Sequence, residues 1–287
     1  MRGATSGPTN RALDVLELLS RQPANQLRYV DIVRALKLNQ GTAHSILKTL
    51  TDRGWVSRDA VAKTYSLGPA IAVVAAKAIQ ARPLANAARG VARDLAAELG
   101  FGASVVERVG DELLLSDFFA VEKKEPSPRP GLKVPYAPPY GVSFAAFALF
   151  RGREAWLARS ATQSRAVGKA LQRAMELSRE RGYDVDWTTP AVAQMTSLVG
   201  SMDKLHPALL TAMDQILLEY TAPALDEADA DRSVTSITAP VLDANGHARL
   251  GIALHPMRHI PLRRIQACGR RLAEEAKRIA ALAGRHS

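Results

Sequence analysis

The stretch that most constrains the fold runs over residues 39–56. Its apolar side chains recur at helical spacing and make one stripe, formed by Ala43, Ile46, Leu47 and Leu50. The opposite face carries hydrogen-bonding groups and a cation, with no carboxylate before Asp52. A helix with such a face and short polar side chains near its N-terminus suits the major groove of DNA. Gly54 is placed to end the helix, and Trp55 and Val56 begin an extended segment.

Basic residues are concentrated in the same part of the chain. Of the formal charge of +10, residues 1–82 contribute twelve lysines and arginines against five carboxylates. Residues 83–257 are slightly acidic, and residues 258–287 are basic again. An excess confined to the segment with the candidate helix favours binding of a polyanion there.

The surrounding pattern predicts a small winged domain over residues 1–68. We expect residues 1–9 to be disordered, and Asn10 to cap a first helix that reaches Ser20 and buries Leu13, Leu16 and Leu19. Residues 23–25 end that helix, and residues 29–36 form a second one with Val30, Ile32, Val33 and Leu36 inward. A three-residue turn joins it to the third helix, which is typical of a helix-turn-helix. Residues 55–58 and 63–67 predict a hairpin that would serve as the wing.

Residues 69–82 predict a linker helix between two prolines that is apolar almost all round. Such a helix has to be buried. The small domain before it cannot cover every side, so we expect it to pack against the same helix of a second subunit. Burial within one chain is the alternative.

Residues 83–287 alternate between helical and extended patterns, which predicts an α/β domain. Helices are expected at 84–99, 142–159, 166–181, 202–220 and 261–284. Strands are expected at 103–108, 113–119, 182–187, 234–242 and 247–255. Residues 122–140 and 224–232 are expected to be loops. The predicted fold class is therefore α+β.

Several segments, in this order and spacing, resemble the IclR family of bacterial transcription regulators. They are residues 10–16, 41–44 with Leu47, 53–56, 65–69, 179–186, and 237–241 with Asn245 and Gly246. The resemblance covers nearly the whole chain. It implies a winged helix-turn-helix, a C-terminal GAF-like domain that senses a small molecule, and dimers or tetramers on a palindromic operator.

The chain also departs from the family pattern. Ser45 stands where relatives usually carry arginine, and residues 138–143 replace a Gly-Lys pair ahead of the pocket. Ile252 and Leu254 stand where relatives have serines, and Ser236 stands where many have cysteine.

Nine residues are predicted to bind DNA. Gln40 and His44 are expected at base edges, and Thr42, Ser45 and Lys48 at phosphates or thymine methyl groups. Arg28 and Tyr29 at the start of the second helix, with Arg58 and Lys63 on the wing, are expected at phosphates. The alternative is an ordinary solvated surface.

Nine residues are predicted to bind an effector. Carried over from the family are Tyr136, Tyr140, Gly141, Asp226, Ser236, Ile252 and Leu254, to which we add Asp117 and Phe119. Such an apolar and aromatic site favours a hydrophobic aromatic or alicyclic ligand over a small keto acid. The alternative is that Ile252 and Leu254 are core residues and the pocket is vestigial.

The sequence predicts a ligand-responsive regulator, with repression the expected mode, that controls catabolic genes for such a compound. No catalytic, metal or cofactor motif is legible: His255 and His259 are separated by Pro256, and Cys268 has no neighbouring base motif. One cysteine and the polar first ten residues favour a cytoplasmic protein. A constitutive DNA-binding protein and an enzyme with an N-terminal interaction module remain as alternatives.

Overall fold

The computed structural model describes residues 6–21, 26–121, 130–160, 164–188 and 233–283. The chain divides into two compact units, Met1–Arg82 and Pro83–Ser287. The predictions for residues 23–25, 202–220 and 224–232 lie outside the described residues.

The first unit is built on three helices: α1 (Gly7–Ser20), α2 (Tyr29–Ala35) and α3 (Gln40–Asp52). Their core is a cluster of five buried side chains, Val15, Leu19, Ile32, Leu47 and Val56. The prediction that Leu13 and Val30 point inward is wrong, because 51% and 58% of their surfaces are exposed.

The predicted start of the first helix is also wrong. Helix α1 begins at Gly7 with Ser6 at the N-cap position, and the Asn10 N–H donates to Ser6 O at 3.0 Å. Pro8 lies in the first turn, where its fixed φ suits a helix and its missing N–H costs nothing. Asn10 therefore lies inside α1 and does not cap it.

A three-stranded antiparallel sheet completes the winged fold, with strands in the order β1 (Leu27–Arg28), β3 (Thr64–Leu67) and β2 (Val56–Arg58). The predicted hairpin is confirmed, and β1 is an addition to it. Gly54 has a φ of +71°, a left-handed conformation that favours glycine, and it follows the end of α3 as predicted.

Helix α4 (Pro69–Gln80) follows the wing directly. None of its residues is buried, and Val73, Val74 and Ile79 expose between 47% and 59% of their surfaces. The first unit therefore does not bury α4.

The second unit contains a six-stranded antiparallel sheet. Its strands are β4 (Gly102–Val109), β5 (Glu112–Phe119), β6 (Lys133–Pro135), β7 (Asp184–Thr188), β8 (Ser233–Leu242) and β9 (Ala248–His255). They lie in the order β6-β5-β4-β9-β8-β7. Strand β6 occupies a segment that we predicted to be loop.

One face of this sheet, which we call the core face, packs on α5 (Pro83–Leu99) and α9 (Leu262–Ala283). Arg271 of α9 joins both helices, since its guanidinium donates twice to Glu98 of α5 at 3.1 Å. Cys268 is buried there, and burial raises the pKa of its thiol, as expected for an inert residue.

The opposite face, which we call the α6 face, is covered in part by α6 (Val142–Ala146), which packs on β8 and β9, and by α7 (Phe150–Leu157) and α8 (Arg165–Arg181). We predicted one helix over residues 142–159, but the chain turns back after α6. This turn lets Trp156 donate from Nε1 to Tyr140 O at 3.0 Å. Sixteen residues of continuous helix would hold these groups about 24 Å apart.

Candidate functional site

The N-terminus of α3 is fixed by two contacts. The Asn39 side chain caps the helix by accepting from the Thr42 N–H at 2.7 Å. The Tyr29 hydroxyl, at the start of α2, donates to Gln40 O at 2.6 Å. The tyrosine bond ties the two helices of the helix-turn-helix together. The first turn of α3 contains no acidic residue.

The exposed surface of α3 is the face predicted to meet DNA. Ala43 and Leu47 are buried, and Ile46 and Leu50 pack against the same core. The exposed side chains are Gln40, His44, Ser45, Lys48 and Thr49, and Thr42 is half-buried. The structure thus brings five of the predicted residues onto one helix surface.

Lys48 pairs with Asp52 one turn later, with Nζ and Oδ2 2.6 Å apart. Both side chains are exposed, and a pair of this kind contributes at most about 1 kcal/mol. Lys48 can therefore exchange this carboxylate for a phosphate.

The wing places its cations beside a tight turn. Asp59 Oδ1 accepts from the N–H groups of Val61 and Ala62 at 2.8 and 2.9 Å, which shapes the tip between Arg58 and Lys63. Both cations are exposed. Arg28 lies on β1 opposite Thr64, so it belongs to the same small sheet.

The predicted effector residues do not converge on one place. Ile252 and Leu254 are fully buried on the core face, and the partly buried Phe119 packs on the same cluster. Asp117 is also on that side, since it pairs with Arg89 of α5 at 3.0 Å. The structure thus supports the alternative reading of Ile252 and Leu254 as core residues.

Four other predicted effector residues lie on or beside the opposite face, in two places. Tyr136, Tyr140 and Gly141 belong to the cluster around α6, and the φ of Gly141 is +83°. A Cβ at Gly141 would come within 2.9 Å of Leu113. Ser236 lies on β8, and Asp226 lies outside the described residues.

Around Ser236, the α6 face carries a group of polar side chains that we call the polar rows. Strand pairing aligns Ser104, Ala253, Thr238 and Asp184 across β4, β9, β8 and β7. The neighbouring row contains His255, Ser236 and Asp186, since the register that pairs Ile237 with Leu254 sets Ser236 beside His255. Side chains on adjacent strands are about 5 Å apart.

Hydrogen bonds link members of the rows. The Ser236 hydroxyl donates to Asp186 Oδ2, and Ser104 Oγ lies 2.8 Å from His255 Nε2. The ring of Phe118, on the strand beyond Ser104, packs against His255 with centroids 5.5 Å apart. Ser104 and Ser236 are buried. The small side chain of Ala253 therefore lies on the sheet surface between polar groups and one aromatic ring.

The titratable groups of the polar rows are perturbed. Burial lowers the pKa of His255 to about 4, so the imidazole is neutral near pH 7. The pKa of Asp184 is raised to about 8, mainly by burial and to a smaller extent by the negative charge of Asp186. The rows hold no lysine or arginine among the described residues.

Sequence reasoning missed most of these residues. A partial signal was present, because Asp184 and Asp186 alternate with Val185 and Trp187 as expected for a strand with one apolar face. Ser104 and His255 gave no such signal, because 150 residues separate them.

The described residues contain no group of three or more side chains that could hold a metal ion. None of their helices is long and apolar enough to cross a membrane.

Comparison with known proteins matches residues 9–60 to the IclR helix-turn-helix domain. No curated protein sequence matches the chain. Solved structures match over almost all of it. An IclR transcriptional regulator from Alicyclobacillus acidocaldarius is 21% identical with a TM-score of 0.68, over 98% of this chain and 100% of that one.

Two further matches are similar in extent. IclR from Thermotoga maritima is 18% identical with a TM-score of 0.63, over 96% of this chain and 98% of that one. An IclR homologue from Microbacterium hydrocarbonoxydans, solved with 4-hydroxybenzoate, is 16% identical with a TM-score of 0.66, over 98% of this chain and 100% of that one. The N-terminal domain is thus a helix-turn-helix of the IclR type, and the chain as a whole has the fold of the IclR transcriptional regulators.

Proposed function

We propose that this chain is an IclR-family transcriptional regulator that binds operator DNA through α3 and the wing and responds to a small molecule. The observation that carries the proposal is the exposed face of α3. It presents Gln40, His44 and Ser45 without a carboxylate, within a domain that matches the IclR helix-turn-helix.

The DNA-binding role follows from how the polar and cationic groups are arranged. Gln40 and His44 stand near the N-terminus of α3, where a recognition helix meets base edges. Arg28, Arg58 and Lys63 are exposed on the small sheet and supply phosphate contacts, which contribute affinity but little sequence information. Tyr29 acts through its hydrogen bond to α3.

We propose that α4 pairs with α4 of a second copy. Its apolar side chains have no cover within the first unit, and a soluble protein rarely exposes such a surface without a partner. A twofold pair presents two recognition helices, which suits a palindromic operator. Pairing of dimers would give a tetramer.

The polar rows are the proposed effector site. Buried polar groups beside an aromatic ring and a small side chain, here Ala253, are typical of sites that orient a small ligand. The complex of the Microbacterium homologue with 4-hydroxybenzoate supports an aromatic or alicyclic effector. Because the rows contain two aspartates and no cation among the described residues, we expect the polar end of the ligand to donate hydrogen bonds to them.

Regulation then follows from linkage. An effector that binds one arrangement of the dimer more tightly shifts operator affinity by the same coupling energy, typically about 1–3 kcal/mol. We expect repression that the effector relieves, at catabolic genes for the same class of compound.

The test of DNA binding is selection of genomic fragments with the purified full-length chain. We expect one or a few palindromic fragments to be retained, with affinity that falls steeply as salt rises. Retention without sequence preference, or no salt-sensitive retention, would overturn the proposal.

A constitutive DNA-binding protein with a vestigial pocket is the second candidate, favoured by the burial of Ile252 and Leu254 in the core. Thermal-shift screening of the full-length chain against aromatic and alicyclic acids, amides and phenols separates the two. Ligand-induced stabilisation that also changes operator affinity supports the sensor, and its absence for every compound supports the constitutive protein.

A further inference from the structure

A cavity of about 430 Å³ lies at the end of the large sheet where the β4–β5 and β8–β9 turns meet the α6–α7 connection. Its basic side chains are Arg108, Arg151, His247 and Arg249, and none of the residues that line it is acidic. Arg108 lies on the α6 face, and Arg249 stands at a register shift of β9 beside Ala248, which packs in the cluster around α6. Along β4, Arg108 is four residues, or about 13 Å, from Ser104, so this cavity is separate from the polar rows.

Arg108 and Arg249 are held in position by neighbours. The Arg108 Nε–H donates to Gly110 O at 3.2 Å, and its guanidinium lies 4.1 Å from the ring centroid of Tyr136. The Arg249 Nε–H donates to Asp243 Oδ2 at 3.1 Å. Both guanidinium groups keep further N–H donors for a ligand.

Asp243 neutralises only part of this charge. Burial by itself would raise the pKa of Asp243, but hydrogen bonds from the His247 N–H, Arg249 and the Asn245 N–H outweigh it and lower the pKa. The carboxylate therefore stays ionised beside one arginine, while the other two arginines of the cavity face no acidic lining residue.

Arg151 is the least compensated of the three. Its side chain makes no hydrogen bond or ion pair with any described residue, and it is exposed at the first turn of α7. No side chain caps α7, because Leu149 occupies the N-cap position. The positive end of the helix dipole adds to the field of the arginines.

We propose that this cavity binds a small polyanion, a molecule that carries two or more carboxylate or phosphate charges close together, with or without a short carbon skeleton. The arginines supply paired N–H donors, which fit the planar or tetrahedral oxygens of such groups. Phe144, Ala148 and Leu149 provide an apolar wall for the skeleton. The site goes beyond the proposed function, since it takes a ligand of opposite polarity to the one expected at the polar rows.

The test is calorimetric titration of the full-length chain with two probes, inorganic pyrophosphate and citrate, which separate a phosphate ligand from a carboxylate one. We compare Arg151→Gln with Arg153→Gln, which removes the same charge two residues along α7 from a side chain outside this cavity. At least one probe is expected to bind, with a Kd that rises tenfold or more in Arg151→Gln and less than twofold in Arg153→Gln.

The comparison also controls for anions bound by the DNA-binding domain, because neither substitution lies there. If only pyrophosphate or only citrate binds saturably, and Arg151→Gln loses that binding, the result identifies whether the ligand carries phosphate or carboxylate groups. The proposal is overturned if neither probe binds saturably, if Arg151→Gln binds as the parent does, or if both variants lose affinity equally.

Discussion

The exposed face of α3 and the polar rows of the large sheet have opposite electrostatic designs. The helix presents Lys48 and neutral donors, and its one carboxylate, Asp52, lies in the last turn. The rows present Asp184 and Asp186 with neutral partners and, among the described residues, no cation. The first surface is exposed, and the residues of the second are buried or half-buried. On our proposals, operator DNA binds the first surface and a small hydrogen-bond donor binds the second.

The largest expected effect comes from a helix that belongs to neither surface. Val73→Asp with Val74→Asp would place charges on the apolar side of α4, and an unpaired buried charge is costly in an interface. We expect dissociation to monomers and, since one half-site then binds alone, a loss of operator affinity of about 100- to 10,000-fold. Analytical ultracentrifugation and fluorescence anisotropy measure the two.

Substitution of Lys77→Ala on the same helix is the control, because it removes an exposed cation and no apolar surface. A double-aspartate variant that sediments as the parent does would show that α4 is not the dimer contact.

The next effect is confined to the helix surface. His44→Ala with Lys48→Ala removes one proposed base contact and one proposed phosphate contact. We expect operator affinity to fall roughly 30- to 1,000-fold. The slope of log affinity against log salt concentration should fall in magnitude by about one. Thermal stabilisation by an effector should be unchanged, since the polar rows are intact.

Arg21→Ala is a matched control, because Arg21 is an exposed cation at the C-cap of α1 and pairs with Glu17 at 3.7 Å. If the control weakens operator binding as much as the double variant does, general charge and not the α3 face carries the affinity.

The two surfaces also differ in how far sequence alone predicts them. The buried stripe of α3 and its glycine terminus are local features, repeated within one 13-residue helix, so periodicity found them. The polar rows come from four strands, and their alignment depends on register. Ile252 and Leu254 alternate with Ala253 and His255 along β9. Assigning the strand's two faces with an error of one residue moves every side chain to the other face.

The same limit explains the other differences. Strand β1 is two residues long and pairs with a segment 37 residues away, so no local pattern marks it. Leu13 has the spacing of a core residue, yet it is exposed because Val15 and Leu19 fill the position facing α3. Local periodicity predicted elements, and tertiary pairing decided which face each side chain meets.

A smaller effect tests which face of the sheet holds the effector. Asp186→Asn keeps the shape of the side chain but removes the charge that accepts from Ser236 and, by proposal, from the ligand. We expect about tenfold weaker binding of whichever compound stabilises the parent most, measured by calorimetry. Operator affinity without effector should stay within twofold.

Ile252→Val, on the core face, is the paired control. It should cost roughly 0.5–1.5 kcal/mol of stability and leave ligand affinity unchanged. The opposite result, in which Ile252→Val weakens ligand binding and Asp186→Asn does not, would move the site to the core face.

The smallest effect concerns the charge of the rows themselves. The folded-state pKa of Asp184 is about 8, above the value of 3.8 for the free side chain. Between these values the unfolded chain has lost a proton that the folded chain keeps, so this group makes stability fall as pH rises from about 4 to 8.

Asp184→Asn removes the titration. We expect the unfolding temperature of the variant, relative to that of the parent, to be at least about 4 °C higher at pH 8.5 than at pH 4.5. Asp94→Asn, which changes an exposed carboxylate of α5, should leave the pH profile unchanged. Differential scanning calorimetry across this range measures the difference. If the profiles of Asp184→Asn and the parent run parallel, Asp184 is ionised in the folded protein, and the rows carry two full negative charges.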